Sequence, residues 1–132
     1  MLTSTRQEGH AVGVLTVDDQ AVFRMAAVDV IDATPGFAAV GEAASGEEAL
    51  ELADALRPDL VLVDVRMPGM DGIETARRLV ASQPDAVVVL ISLEDAFDFS
   101  LEARSSGAAT FVRKQDFCPT LLARIWAMHH RA

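Results

Sequence analysis

The stretch LVLVDVRMPGMDG, residues 60–72, decides the fold. Leu60 to Val63 run without a polar break and stop at Asp64, a length that suits a strand buried on both faces and is too short for a helix. Pro68-Gly69 and Gly72 make the next residues a tight loop, and a helix of about ten residues starts near Gly72. The same unit recurs on both sides. Upstream, AVGVLTV (11–17) stops at Asp18-Asp19, and residues 20–34 place Phe23, Met25, Ala26, Ala27, Val30 and Ile31 at helical spacing before Pro35-Gly36. FAAVGEA (37–43) is a weaker strand, and Ser45 with Glu48 has the form of a capping box opening a helix that closes at Arg57-Pro58. Downstream, AVVVLI (86–91) leads into a helix of about twelve residues ending at Ser106-Gly107. ATFV (109–112) then precedes a helix from about Pro119 to His130, with Leu121, Leu122, Ile125 and Trp126 on one face.

Five short apolar strands alternating with five helices imply an α/β fold, a doubly wound parallel sheet with helices on both faces. The 132 residues, 51% of them apolar, suit one domain. A net charge of -9 opposes binding to a phosphate backbone, so direct nucleic-acid contact is not expected. No apolar run approaches the roughly 20 residues of a membrane helix, and the polar lead MLTSTRQEGH lacks the apolar stretch of a signal peptide. The single cysteine, Cys118, is compatible with a reducing cytoplasm. The short tail after the last helix leads to the expectation that no second domain follows.

In such sheets the binding crevice lies beyond the carboxyl ends of the strands. The polar residues delivered there are Asp18 and Asp19, Asp64, Ser92, and, after Phe111, Lys114, the only lysine in the chain. Three carboxylates in one place repel one another and call for a counter-charge. A hard divalent cation such as Mg²⁺ suits that oxygen-rich set, while Lys114 and Ser92 add donors for phosphate oxygens. Together they suit phosphoryl transfer, with Asp64 as nucleophile forming an acyl phosphate.

LTVDDQAVFR, LVLVDVRMPGMDG, VVVLIS and GAATFVRK resemble, in order, the motifs of the response-regulator receiver domain of two-component signalling. They look most similar to receivers of the NarL/FixJ-like family, whose members usually carry a helix-turn-helix output domain. The resemblance implies a flavodoxin-like fold with strand order 2-1-3-4-5, a receiver over residues 11–130 and a lead at 1–10. It implies Asp64 as phospho-acceptor, with Asp18, Asp19, Asp64 and the backbone carbonyl of Arg66 holding Mg²⁺. Lys114 and Ser92 would meet the phosphoryl group, Phe111 would turn inward on activation, and Pro68, Gly69 and Gly72 would form the loop beside the acceptor. The donor would be a histidine kinase or phosphotransfer protein. The downstream partner, or a second copy in a homodimer, would meet helix four, strand five and helix five. The chain would be a bacterial cytoplasmic phosphoprotein with no enzymatic activity beyond its own phosphorylation and dephosphorylation. A receiver piece of a DNA-binding regulator, a receiver that signals by binding without phosphorylation, and an aspartyl-phosphate hydrolase are the alternatives. The hydrolases commonly carry a second aspartate two positions after the nucleophile, where this chain has Arg66.

Four positions stand out against the common pattern. Gln115 follows Lys114 where many receivers have a cis proline, so either a trans peptide or a strained loop is expected. Leu93 follows Ser92 in place of a small residue, and Arg66 with Glu94 could pair over the site mouth; these three are expected to tune the phosphoryl lifetime. Phe97, Phe99 and Leu101, with Trp126, would mark a partner surface where exposed. His10 shows no partner in the sequence, Arg113 reads as surface charge, Cys118 as an inert residue, and His129 with His130 as complements of a helix dipole.

Overall fold

The computed structural model describes residues 10–93 and 101–130. Five strands, β1 (Val12–Val17), β2 (Phe37–Ala43), β3 (Leu60–Asp64), β4 (Val87–Ser92) and β5 (Thr110–Arg113), alternate with five helices. The helices are α1 (Ala21–Asp32), α2 (Gly46–Leu56), α3 (Gly72–Ser82), α4 (described over Leu101–Ser105) and α5 (Pro119–His129). The strands form one parallel sheet in the order β2-β1-β3-β4-β5.

The pleat divides the core in two. Along β3, Val61 and Val63 join Leu15, Val17, Ala49, Ala53, Ala76 and Leu79 on one face. Leu60 and Leu62 join Val14, Ala27, Ile31, Phe117, Leu122 and Ile125 on the other. Both faces are covered, which is why the strands read as unbroken apolar runs. In β2, Val40 is an extra residue between two ladder positions, and this bulged edge strand is the weakest of the five in sequence.

The helix ends follow local chemistry. The Ser45 hydroxyl accepts the Glu48 amide, and the Asp71 carboxylate accepts the Glu74 amide. The reciprocal arm of the expected box lands one residue early, since Glu48 Oε1 accepts from the Ala44 amide at 2.7 Å. Arg57 closes α2 in the left-handed conformation ahead of Pro58. In α1 the expected apolar face is corrected: Ala27 and Ile31 are buried, whereas Met25 is 67% exposed and Ala26 is exposed. That segment is apolar around most of its circumference, so spacing alone cannot select the packed side.

Candidate functional site

Register builds the site. Val17 pairs with Val63, so the next residues, Asp18 and Asp64, emerge side by side at the carboxyl ends of β1 and β3. These strands flank the point where the strand order reverses, the usual crevice in such sheets. Asp64 is level with Ile91, which puts Ser92 one step further out, and Ser92 pairs with Arg113, which puts Lys114 at the same rim. Gly72 is required by close approach, because a Cβ there would lie 1.9 Å from the Asp64 carbonyl oxygen. Its amide donates to the Val65 carbonyl at 2.9 Å, fixing the loop beside the acid.

Carboxylate oxygens of Asp18, Asp19 and Asp64 lie within 4.8 Å of one another. Asp18 is fully buried and Asp64 is 6% exposed. The Lys114 ammonium stands 2.6 Å from Asp18 Oδ2 and 3.8 Å from Asp64 Oδ1. The shorter contact is an ion pair that takes up Asp18 Oδ2. Burial and the neighbouring Asp18 charge push the Asp64 carboxyl up to about 6, against the opposing pull of Lys114 and the Arg66 amide. One ammonium therefore does not balance three carboxylates. Clustered hard oxygens and an acid raised by burial and a neighbouring carboxylate fit a hard divalent cation, with Asp18, Asp19 and Asp64 as the carboxylates to hold it.

The first turn of α1 is strapped to this cluster. Asp18 Oδ1 accepts the Gln20 amide at 2.8 Å, and Arg24 Nη1 donates to the Asp18 carbonyl at 2.7 Å while pairing with Glu42. Asp19, Gln20, Asp64, Arg66, Ser92, Leu93 and Lys114 line a groove of about 350 Å³ over the acids. Leu93, 73% exposed, stands at its rim, and the Lys114–Gln115 peptide is trans, the first of the two expected outcomes.

Phe111 is half-buried against the core and also lines a groove of about 260 Å³ between β5 and α5, with Leu121, Ile125, Met128 and His129. Trp126 packs on the core and stacks on the His130 ring with centroids 4.4 Å apart. Cys118 stands at the N-cap position of α5 without a side-chain capping bond and is exposed. One expectation is corrected, since His10 Nε2 lies 3.1 Å from Asp59 Oδ2. Arg113 is surface charge as expected, in an exposed pair with Asp116 at 2.9 Å. Glu94, Phe97 and Phe99 lie outside the described residues, and Leu101 is exposed. Two neighbours of the site escaped the sequence reading. Gln20 lines the groove, and the Phe23 ring faces the Lys114 ammonium, 4.5 Å from its centroid. Phe23 was legible only as a helix position.

Comparison with known proteins places this geometry. The sequence model of the response regulator receiver domain matches residues 14–125. A protein-glutamate methylesterase/protein-glutamine glutaminase of Alkalilimnicola ehrlichii is 40% identical over 105 residues, 79% of this chain and 27% of that protein. Response regulator GacA of Pseudomonas aeruginosa is 39% identical over 103 residues, 78% of this chain and 48% of GacA. The chain thus spans less than half the length of these curated relatives. Among solved structures, the response regulator domain of Thermotoga maritima CheB superposes with a TM-score of 0.79 at 32% identity, covering 89% of this chain and 96% of that one. The signal receiver domain of a NarL from Mycobacterium tuberculosis superposes at 0.76 and 36%, covering 87% and 96%.

Proposed function

This chain belongs to the response regulator receiver domain family, a family of phosphorylation switches, and on that premise we propose that its switch is thrown by phosphorylation of Asp64. The observation that carries the reading is the convergence of Asp18, Asp19 and Asp64 within 4.8 Å beside the ammonium of Lys114. The Asp64 carboxylate attacks the phosphorus of a phosphohistidine on a histidine kinase or phosphotransfer protein. An O–P bond forms, the P–N bond breaks, and the leaving imidazole nitrogen takes up a proton. Lys114, 3.8 Å from Asp64, is close enough to neutralise a phosphoryl oxygen after a small movement, and the Ser92 hydroxyl serves as a second donor. Asp18, Asp19, Asp64 and the Arg66 carbonyl would hold Mg²⁺, which when bound would supply charge neutralisation at the phosphoryl group.

Asp64 then carries a new dianionic group at the head of β3, and Ser92 and Phe111 pass the change toward α4, β5 and α5, shifting a pre-existing equilibrium. The groove between β5 and α5 supports that face as the docking surface for a downstream protein or a second copy. Arg66, Leu93 and Glu94 tune how long the acyl phosphate lasts, a role supported for Arg66 and Leu93 by their place around the groove. The working domain is residues 11–130, in the cytoplasm, with chemistry limited to its own phosphorylation and dephosphorylation. No described helix is long and apolar enough to cross a membrane. Acting alone is one form of this function. The greater length of the relatives favours a second, in which the same switch governs a DNA-binding or esterase domain in one polypeptide, and the size of the native polypeptide on an immunoblot separates the two.

Incubation with phosphoramidate and Mg²⁺, read by intact mass, tests the reading. One phosphoryl adduct is expected in the wild type and none in Asp64→Asn. No adduct in the wild type, or one that persists in the variant, defeats it.

A further inference from the structure

Lys114 is held by more than carboxylates. Its ammonium lies 4.5 Å from the centroid of the Phe23 ring and faces it. The same ring packs against Phe117 with centroids 6.5 Å apart at 48°. Phe117 closes the 3₁₀ turn Lys114–Asp116, its amide donating to the Lys114 carbonyl at 3.2 Å. Phe23 therefore touches both ends of the turn that presents the lysine. The ring's own position is fixed, because the segment Gln20–Arg24 is tied to Asp18 at both ends by the Gln20 amide and the Arg24 guanidinium.

This arrangement solves a problem of competition. In the structure Lys114 leans on Asp18, at 2.6 Å, rather than on Asp64, at 3.8 Å. A divalent cation held by the three acids draws on the Asp18 charge and weakens that ion pair. An aromatic face is uncharged and binds no Mg²⁺, so its attraction for the ammonium survives. We propose that Phe23 is a positioning residue, whose ring keeps the Lys114 ammonium at the site when Asp18 is engaged by the cation, ready for the phosphoryl group on Asp64. The proposal rests on Asp64 as phospho-acceptor for its consequence, but the contact itself is testable without phosphorylation.

Lys114 is the only lysine in the chain, so its side-chain εCH₂ gives a single lysine signal in a ¹H–¹³C spectrum. Protons over an aromatic face are shielded by the ring current. The Lys114 ε protons are expected upfield of an exposed lysine, to remain so when Mg²⁺ is added, to lose the shielding in Phe23→Leu and to keep it in Phe23→Tyr. Both variants preserve an apolar body against Phe117, and circular dichroism verifies their fold. With phosphoramidate and Mg²⁺, adduct formation should slow about fivefold in Phe23→Leu, the scale of one cation–π contact, and stay near wild type in Phe23→Tyr. Unshielded ε protons in the wild type, shielding lost on adding Mg²⁺, shielding unchanged in Phe23→Leu, or an equal rate loss in both variants overturns the proposal. Absence of any adduct in the wild type defeats the phospho-acceptor reading instead, and leaves the ring contact to be judged by its shielding.

Discussion

β3 begins just after one aspartate and ends on another, and the two have opposite fates. At its foot, Asp59 accepts the Gly13 amide at 2.8 Å and meets His10 at 3.1 Å. Its backbone joins the neighbouring strands, the amide donating to the Gly13 carbonyl and the carbonyl accepting from Val87. At its head, Asp64 faces two other acids and one lysine that leans toward Asp18. The same side chain is a staple where donors surround it and a carboxyl pushed up to about 6 where acids do. The strain at this sheet edge comes from partners that conflict rather than from the residue type.

Substitutions along β3 and its neighbour β1 can break that contrast, and the largest effect falls at the head. Asp64 in the folded protein has its carboxyl raised to about 6 from an ordinary 3.8. Below pH 4 the group is protonated in both folded and unfolded states and contributes nothing. Between about 4 and 6 the folded state keeps a proton that the unfolded state has lost, so stability falls as pH rises through this window. Above it the ionised group costs about 3 kcal/mol. In metal-free buffer Asp64→Asn should therefore be more stable than wild type by about that much at pH 7.5 and level with it at pH 4, as read by urea unfolding. At the foot the sign reverses. Asp59→Ala strips the Gly13 amide of its acceptor and should cost about 1–2 kcal/mol, with the rate of phosphoryl uptake unchanged. Thr16 lies on β1 beneath Asp18 with a buried hydroxyl that lacks a partner among the described residues. Thr16→Val should add about 1 kcal/mol in the same unfolding assay. His10→Ala removes one half-exposed contact and should shift stability by less than about 0.5 kcal/mol.

The head of β3 was legible in sequence and the foot was not. Apolar runs that end abruptly at Asp18, Asp64 and Ser92 show which residues the sheet delivers to its carboxyl edge, and a parallel register then brings them level. The Asp59–His10 contact leaves no periodic trace, because it joins the polar lead to a loop position. The outward turn of Met25 was hidden by an α1 segment apolar on most sides. The meeting of Phe23 with Lys114 depends on side chains from opposite ends of the chain, packed over one sheet face, which spacing within either helix cannot report. Glu94, Phe97 and Phe99 fall outside the described residues, so their expected contacts rest on sequence alone.

The central claim is that Asp64, and not the other two acids beside it, becomes the acyl phosphate. Borohydride reduces an acyl phosphate to the alcohol and so marks a phosphorylated aspartate as homoserine. After treatment with phosphoramidate and Mg²⁺, reduction and peptide mass mapping should find homoserine at position 64. Homoserine at Asp18 or Asp19, or no conversion at any aspartate, would contradict it.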